Sequence, residues 1–167
     1  LGATVIFGET TEFIGGEHLL ARRAVNKEVG DKIFKIVEDM ETRAKSLGCD
    51  MRKGQPTPGN IEGGLSSIEE KSLGAIMKSG SKPIQGVLGY TERVTDQKGL
   101  WIKDTPGREP EILTGMAATG AQVMMFSTGR GAPQGFPSMP VIKICGNPNT
   151  YQRMEEDMDI NAGRIIT

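Results

Sequence analysis

Short apolar runs of strand length alternate with stretches of helical period along this chain, and that alternation admits few folds. Residues 1–7, 83–90, 100–102, 121–127 and 141–145 read as strands. Between the first two runs, 17–47 carries apolar residues at three- and four-residue steps: Leu20, Ala24, Ile33, Ile36, Val37, Met40, Ala44 and Leu47. Gly30 is expected to split that stretch into two helices, and Gly48 to cap its end. Residues 49–65, with four Gly and two Pro, read as a loop. Ser66 and Ser67 then stand three residues before Glu69 and Glu70, a doubled capping-box pattern that opens a helix over 68–79, closed by Gly80. Further helices are expected over 112–120 and 151–158. Strands alternating with helices predict an α/β fold: a single Rossmann-like three-layer domain over residues 1–167, with a largely parallel sheet and helices on its faces.

Composition narrows the function classes. Hydrophobic residues make up 37% and charged residues 25% of the 167, enough apolar content for a core, so a disordered polymer is excluded. Twenty basic against twenty-one acidic residues leave a net charge of −1, which gives no basic excess for nucleic acid or an anionic membrane. The longest uncharged stretch, 112–129, is only half apolar and rich in Gly and Thr, so no membrane span is expected. Cys49 and Cys145 lie far apart without CxxC spacing, which fits a reducing, cytoplasmic setting better than a disulfide framework. The chain opens inside an apolar run without Met and reads as a fragment. Glycine is the outlier, at 23 residues, clustered between the apolar runs where a backbone can approach a ligand closely.

In parallel sheets, ligands sit outside the carboxyl ends of the strands. Three expected strands are followed by polar loops of that kind: Gly8-Glu9-Thr10-Thr11-Glu12, Thr128-Gly129-Arg130-Gly131 and Gly146-Asn147-Pro148-Asn149. Arg130 between two glycines offers a planar fork for a carboxylate or phosphate; the plainer reading pairs it with a carboxylate across the loop. Neither GxGxxG nor GxxxxGK[ST] occurs, so no nucleotide cofactor is expected. Lys71, in the first turns of the 68–79 helix, is misplaced for the helix dipole, which points to a substrate carboxylate or a base, or else to a surface pair with a nearby Glu. Glu9, Glu12, Glu17 and His18 form an acidic cluster around the one histidine, a set able to hold a divalent ion, though a lone His near a helix start is commonly a surface residue. Asp157 and Asp159 read as a solvated helix end.

Five runs taken together resemble one enzyme family. They are Pro58-Gly59-Asn60, Gly63-Gly64-Leu65, Glu69-Glu70-Lys71-Ser72-Leu73-Gly74-Ala75, Phe126-Ser127-Thr128-Gly129-Arg130-Gly131 and Met158-Asp159-Ile160-Asn161-Ala162-Gly163. In this order they resemble the catalytic C-terminal region of the altronate/galactarate dehydratases, a family that also includes the large subunit of sulfolactate sulfo-lyase. The resemblance implies a hydro-lyase that removes water from a sugar acid to give a 2-keto-3-deoxy acid, aided by a divalent metal such as Fe²⁺ or Mn²⁺. It implies a small N-terminal β-rich domain or small subunit outside this chain, and it leaves a homo-oligomer open. On this reading Arg130 and Lys71 clamp the substrate carboxylate, supported by Thr128, Gly129 and Gly131. Asn60 and Asn147 meet substrate hydroxyls, Glu9, Glu12 and Glu70 are candidates for metal ligand or base, with Glu9 and Glu12 the named metal ligands, and Lys71 is a further catalytic candidate. A C–S lyase releasing sulfite, or a non-catalytic domain that binds a small anion or a partner subunit, would use the same clamp.

Overall fold

The computed structural model describes residues 2–166. The chain falls into two compact units, Leu1–Gly107 and Arg108–Thr167. Each unit holds a three-stranded sheet in which every strand pair is parallel, as expected for α/β. Among the described residues no helix is long and apolar enough to cross a membrane.

In the first unit, β1 (Thr4–Phe7), β2 (Ile84–Leu88) and β3 (Gly99–Lys103) are ordered β1-β3-β2, so the last strand in sequence is central. β3 is buried along most of its length, the burial a central parallel strand demands. Gly86 lies flat beneath the Trp101 ring, where a Cβ would fall 2.8 Å from Cε3, and the β2–β3 register shifts at that point. The helices are α1 (Glu17–Ala21), α2 (Lys27–Ser46), α3 (Met51–Gly54), α4 (Pro58–Glu62) and α5 (Ile68–Met77). Val29, Ile33 and Val37 of α2 join Phe13, Ile14, Leu20, Ile68, Ile76, Ile84, Leu100 and Ile102 in one core.

Three details differ from the sequence expectation. The break in the long helical stretch falls at residues 22–26, not at Gly30. Arg23 O and Val25 N hydrogen-bond to the backbone of Ile84, which removes them from any helix, and Asn26 then caps α2 through Val29 N. Gly30 stays inside α2, close against Ala21 and Ala24. The expected loop 49–65 contains two short helices, each with a local start signal: Asp50 accepts from Arg52 N, and Pro58 occupies the first turn of α4. As expected, Gly48 and Gly80 end their helices with left-handed backbone, φ 76° and 67°.

In the second unit, β4 (Met124–Thr128), β5 (Val141–Cys145) and β6 (Ile160–Asn161) are ordered β4-β5-β6, with α6 (Glu109–Thr119) and α7 (Pro148–Arg153). The last helix was expected over 151–158. It begins earlier because Asn147 caps it, accepting from Asn149 N at 2.9 Å and Thr150 N at 3.3 Å, with Pro148 in its first turn. β6 arises because Asp159 accepts from Lys143 N through its carboxylate (2.7 Å) and donates its own N–H to Lys143 O (2.9 Å), so Asp159 registers a strand instead of ending a helix.

Candidate functional site

Parallel strands deliver their following loops to one sheet edge, and in the first unit these are the segments after Phe7, Leu88 and Lys103. Glu9 has φ 81°, left-handed backbone that is uncommon for a residue with a Cβ. It is held there by the loop after β3: Glu9 N donates to Thr105 Oγ1 at 2.6 Å, and Thr10 N donates to Thr105 O at 3.0 Å. The Thr10 hydroxyl donates to Asp104 Oδ1 (2.8 Å) and accepts from Thr105 N (3.1 Å). Thr10 and Thr105 are fully buried, so this lattice sets the direction of Glu9 rigidly. Backbone held in this sparsely populated region clusters at functional sites. Gly107 is required beside it, since a Cβ there would fall 2.5 Å from Thr11 Oγ1 and 3.5 Å from Glu9 Oε1.

Lys71 and Glu12 are brought together. The Lys71 ammonium lies 3.5 Å from Glu12 Oε1 and donates to Gln55 Oε1 at 3.0 Å, while Lys78 lies 3.9 Å from Glu12 Oε2. Ser72, fully buried, donates to Ile14 O at 2.8 Å and locks α5 to the Thr10–Glu12 turn region. Glu70 points elsewhere. Its Oε2 accepts from Ser66 N (2.7 Å) and Ser66 Oγ (2.6 Å), closing the start of α5. Those hydrogen bonds hold its carboxyl below the usual carboxylate range, which makes it a poorer base. Asn60 accepts from Thr57 N and Oγ1, and so shapes the start of α4.

Glu12 lies among cations. Two ammonium groups flank it, and among the described residues no three His, Cys, Asp or Glu side chains converge where an ion could be held. His18 is exposed on α1.

Lys103 escaped the sequence reading. It ends the central strand, fully buried, with Nζ donating to Gly89 O at 2.9 Å and Glu92 O at 3.4 Å. Burial pushes its pKa down, against the opposing pull of Glu92 and Asp104. The strand-end rule already used for three loops would have found it, because Lys103-Asp104-Thr105 directly follows the apolar run Leu100-Trp101-Ile102.

In the second unit the loops after β4 and β5 lie side by side: Gly146 N donates to Thr128 O at 3.0 Å, and Arg130 N to Thr128 Oγ1 at 3.2 Å. Gly131 has φ 79° and packs on α7, where a Cβ would meet Met154 Sδ at 2.6 Å. Arg130 is exposed, and no carboxylate among the described residues pairs with it, so the plainer reading of this residue finds no partner. Asn147 spends its side-chain oxygen on the α7 cap. Gly163 touches Pro148, which brings the Met158–Gly163 run against the Asn147 loop.

The model of the D-galactarate/altronate dehydratase C-terminal family matches residues 1–167. The chain belongs to that family. It is 42% identical over 169 residues to the (2R)-sulfolactate sulfo-lyase subunit beta of Chromohalobacter salexigens, covering 99% of this chain and 43% of that protein. It is also 42% identical to the L-threo-forming galactarate dehydratase of Escherichia coli, covering 99% of this chain and 31% of the relative. Altronate dehydratase of Bacillus subtilis is 36% identical, covering 98% of this chain and 32% of the relative. The chain thus spans less than half the length of each of these family members.

Proposed function

We propose that this chain is the C-terminal part of a sugar-acid hydro-lyase of the galactarate or altronate type. The observation that carries the reading is family membership over the whole chain, joined to Arg130 on the loop after β4 and to Lys71 of α5 facing the turn after β1. The reaction breaks the C–H bond beside the substrate carboxylate, expels the neighbouring hydroxyl as water, and leaves an enol that becomes a 2-keto-3-deoxy acid. Negative charge builds on the carboxylate oxygens as the proton leaves, so a fixed cation at that carboxylate lowers the barrier. Lys71 is the proposed anion-binding cation of the first unit, and Arg130, by itself, that of the second. Glu9, held by the Thr10–Thr105 lattice, is the proposed base, in preference to the capped Glu70. Thr128 and the Gly129–Gly131 backbone shape the Arg130 loop. Any Fe²⁺ or Mn²⁺ that takes part needs at least one ligand from beyond the described residues, among which no three carboxylate, imidazole or thiolate side chains converge. The proposed setting is cytoplasmic, with a further domain or small subunit completing the enzyme.

A second reading is favoured by one observation, the 42% identity to a sulfolactate sulfo-lyase subunit. There the same proton loss would expel sulfite in place of water. Incubating the complete polypeptide with galactarate, altronate and sulfolactate, with Mn²⁺ or Fe²⁺ supplied anaerobically, separates the two. Keto-acid formation from a hexonate or hexarate, reduced at least 100-fold by Arg130→Ala or Lys71→Ala, is the expected result. Sulfite release from sulfolactate alone would displace the first reading. Turnover untouched by either substitution would sink the assignment of that residue.

A further inference from the structure

A buried acceptor that no donor meets is uncommon in a folded chain, because the group has lost water and gained no hydrogen bond in exchange. Asn161 Oδ1 is such an atom: it is shielded from solvent, and no described residue donates to it. Its amide carries a single acceptor oxygen, so no second oxygen can take the bond as one could in a carboxylate. Asn161 as a whole is only partly buried. The last side-chain torsion of asparagine is broad, and Oδ1 has no bond to lose, so a modest rotation turns the oxygen toward the open side. The two asparagines that the sequence offered for substrate hydroxyls are already engaged. Asn60 accepts from Thr57, and Asn147 accepts from the first turn of α7.

Asn161 also stands at the edge of the second sheet where ligands bind. It ends β6 and pairs in register with Cys145 at the end of β5, which pairs in turn with Thr128 at the end of β4. The three residues form one row at the C-terminal edge, with their side chains on one face, because register neighbours in a parallel ladder point the same way. Strands about 4.8 Å apart put Thr128 and Asn161 roughly 10 Å from each other. Cys145 lies between them, fully buried. Two residues beyond Thr128 the same loop carries the exposed Arg130. A Cβ on Gly129 or on Gly146 would meet no atom within 4 Å, so both loops front open space. A cation on one side of this edge and an unmet acceptor on the other suit a small molecule that carries an acid group and a hydroxyl.

We propose that Asn161 is the hydroxyl-recognising residue of the second unit, its Oδ1 accepting a hydrogen bond from a hydroxyl of the hydroxy-acid anion that Arg130 holds. The identity of that anion as a sugar acid rests on the proposed function; the contact itself rests on the unmet oxygen and its place in the Thr128–Cys145–Asn161 row. Discrimination follows from what a wrong ligand leaves undone. A hydroxylated acid supplies the donor that Oδ1 lacks, whereas an acid with hydrogen in that position leaves the oxygen unmet.

The test is calorimetry on the complete polypeptide with two matched pairs, galactarate against adipate and sulfolactate against 3-sulfopropionate, the second of each pair lacking the hydroxyls. Asn161→Leu keeps the size of the side chain and removes the amide. It is expected to bind the hydroxylated acid about tenfold more weakly than the parent and the hydroxyl-free acid within about twofold. Its urea midpoint is expected at or above that of the parent, because apolar surface replaces an unmet polar group; an asparagine that only supports the fold would lower it. Where the hydroxyl-free acid binds too weakly to measure, that midpoint decides. If Asn161→Leu does not fold, Asn161→Ala reads the same contrast between the acids. Hydroxy-acid affinity unchanged in the variant, the result if water alone satisfies Oδ1, overturns the proposal. Equal losses for both members of a pair, or no binding of either hydroxylated acid to the parent, overturn it as well. The two readings fail separately. A hydroxyl-dependent loss at Asn161 without turnover of either hydroxy acid leaves the contact standing and removes the reaction. Turnover whose KM ignores Asn161→Leu removes the contact and leaves the reaction.

Discussion

Gly163→Ala should weaken the second unit far more than an alanine placed at Gly146, its neighbour in space. The Cβ introduced at 163 would lie 2.5 Å from Pro148 Cδ, 2.7 Å from Pro148 N and 3.1 Å from Gly146 O. Ordinary carbon contacts begin at about 3.5 Å, so the overlap with Pro148 approaches an ångström. None of these atoms is the free end of a flexible side chain. Pro148 is held in the first turn of α7, which Asn147 caps through two backbone N–H groups. Relief therefore requires the start of α7 to move, and overpacking of this kind costs about 1–3 kcal/mol; contact with backbone on two sides places the expectation at about 2–3 kcal/mol. At Gly146 the added Cβ meets no atom within 4 Å, so that substitution should stay within about 0.5 kcal/mol of the parent. Urea unfolding followed by far-UV circular dichroism measures both. With a slope of about 1 kcal/mol/M for a unit of this size, Gly163→Ala lowers its midpoint by about 2–3 M at unchanged slope. Equal midpoints for the two variants, or a Gly163→Ala protein indistinguishable from the parent, would refute the close-approach argument.

Two further outcomes follow from the first unit. Gly86→Ala drives a methyl into the Trp101 ring, and an expected loss of about 1–3 kcal/mol should come with a shift in the emission of the sole tryptophan; unchanged emission would mean that β2 lies elsewhere. Lys103 titrates with a pKa lowered by burial, so between that value and the ordinary 10.5 the unfolded chain binds more protons than the folded one. Stability relative to Lys103→Met should therefore climb as pH rises through this alkaline window and level off above it, as read from unfolding midpoints at stepped pH. Parallel pH profiles for the two proteins would show that the buried ammonium carries no such penalty.

The elements with local signals were legible from the sequence. α5 was readable because its start is encoded within five residues, by Ser66, Ser67, Glu69 and Glu70. β5 was readable as an apolar run, and the α/β class followed from alternation. The loops after β1, β4 and β5 were marked because Gly and polar residues stand directly after those runs. Family membership was legible for a related reason: the short runs around Lys71 and Arg130 are continuous in sequence.

The remaining features depend on which distant segments meet. The helical stretch breaks at 22–26 because Arg23 and Val25 bond to Ile84, and nothing in the local period announces that partner. The order β1-β3-β2 places Thr105 beside Glu9 and so decides that Glu9 takes left-handed backbone. Glu12 meets the ammonium groups of Lys71 and Lys78 only when α5 docks on its turn. Glu70 becomes a helix-closing group in the same way that the motif predicts, but its unsuitability as a base depends on hydrogen bonds formed in the folded chain. Helical period and capping act over a few residues and are written into neighbouring side chains, whereas strand order is settled by burial of the whole core. Sequence by itself therefore determined the elements and the chemistry available at their ends; tertiary structure decided which charges face each other, because that choice is made by the topology of packing.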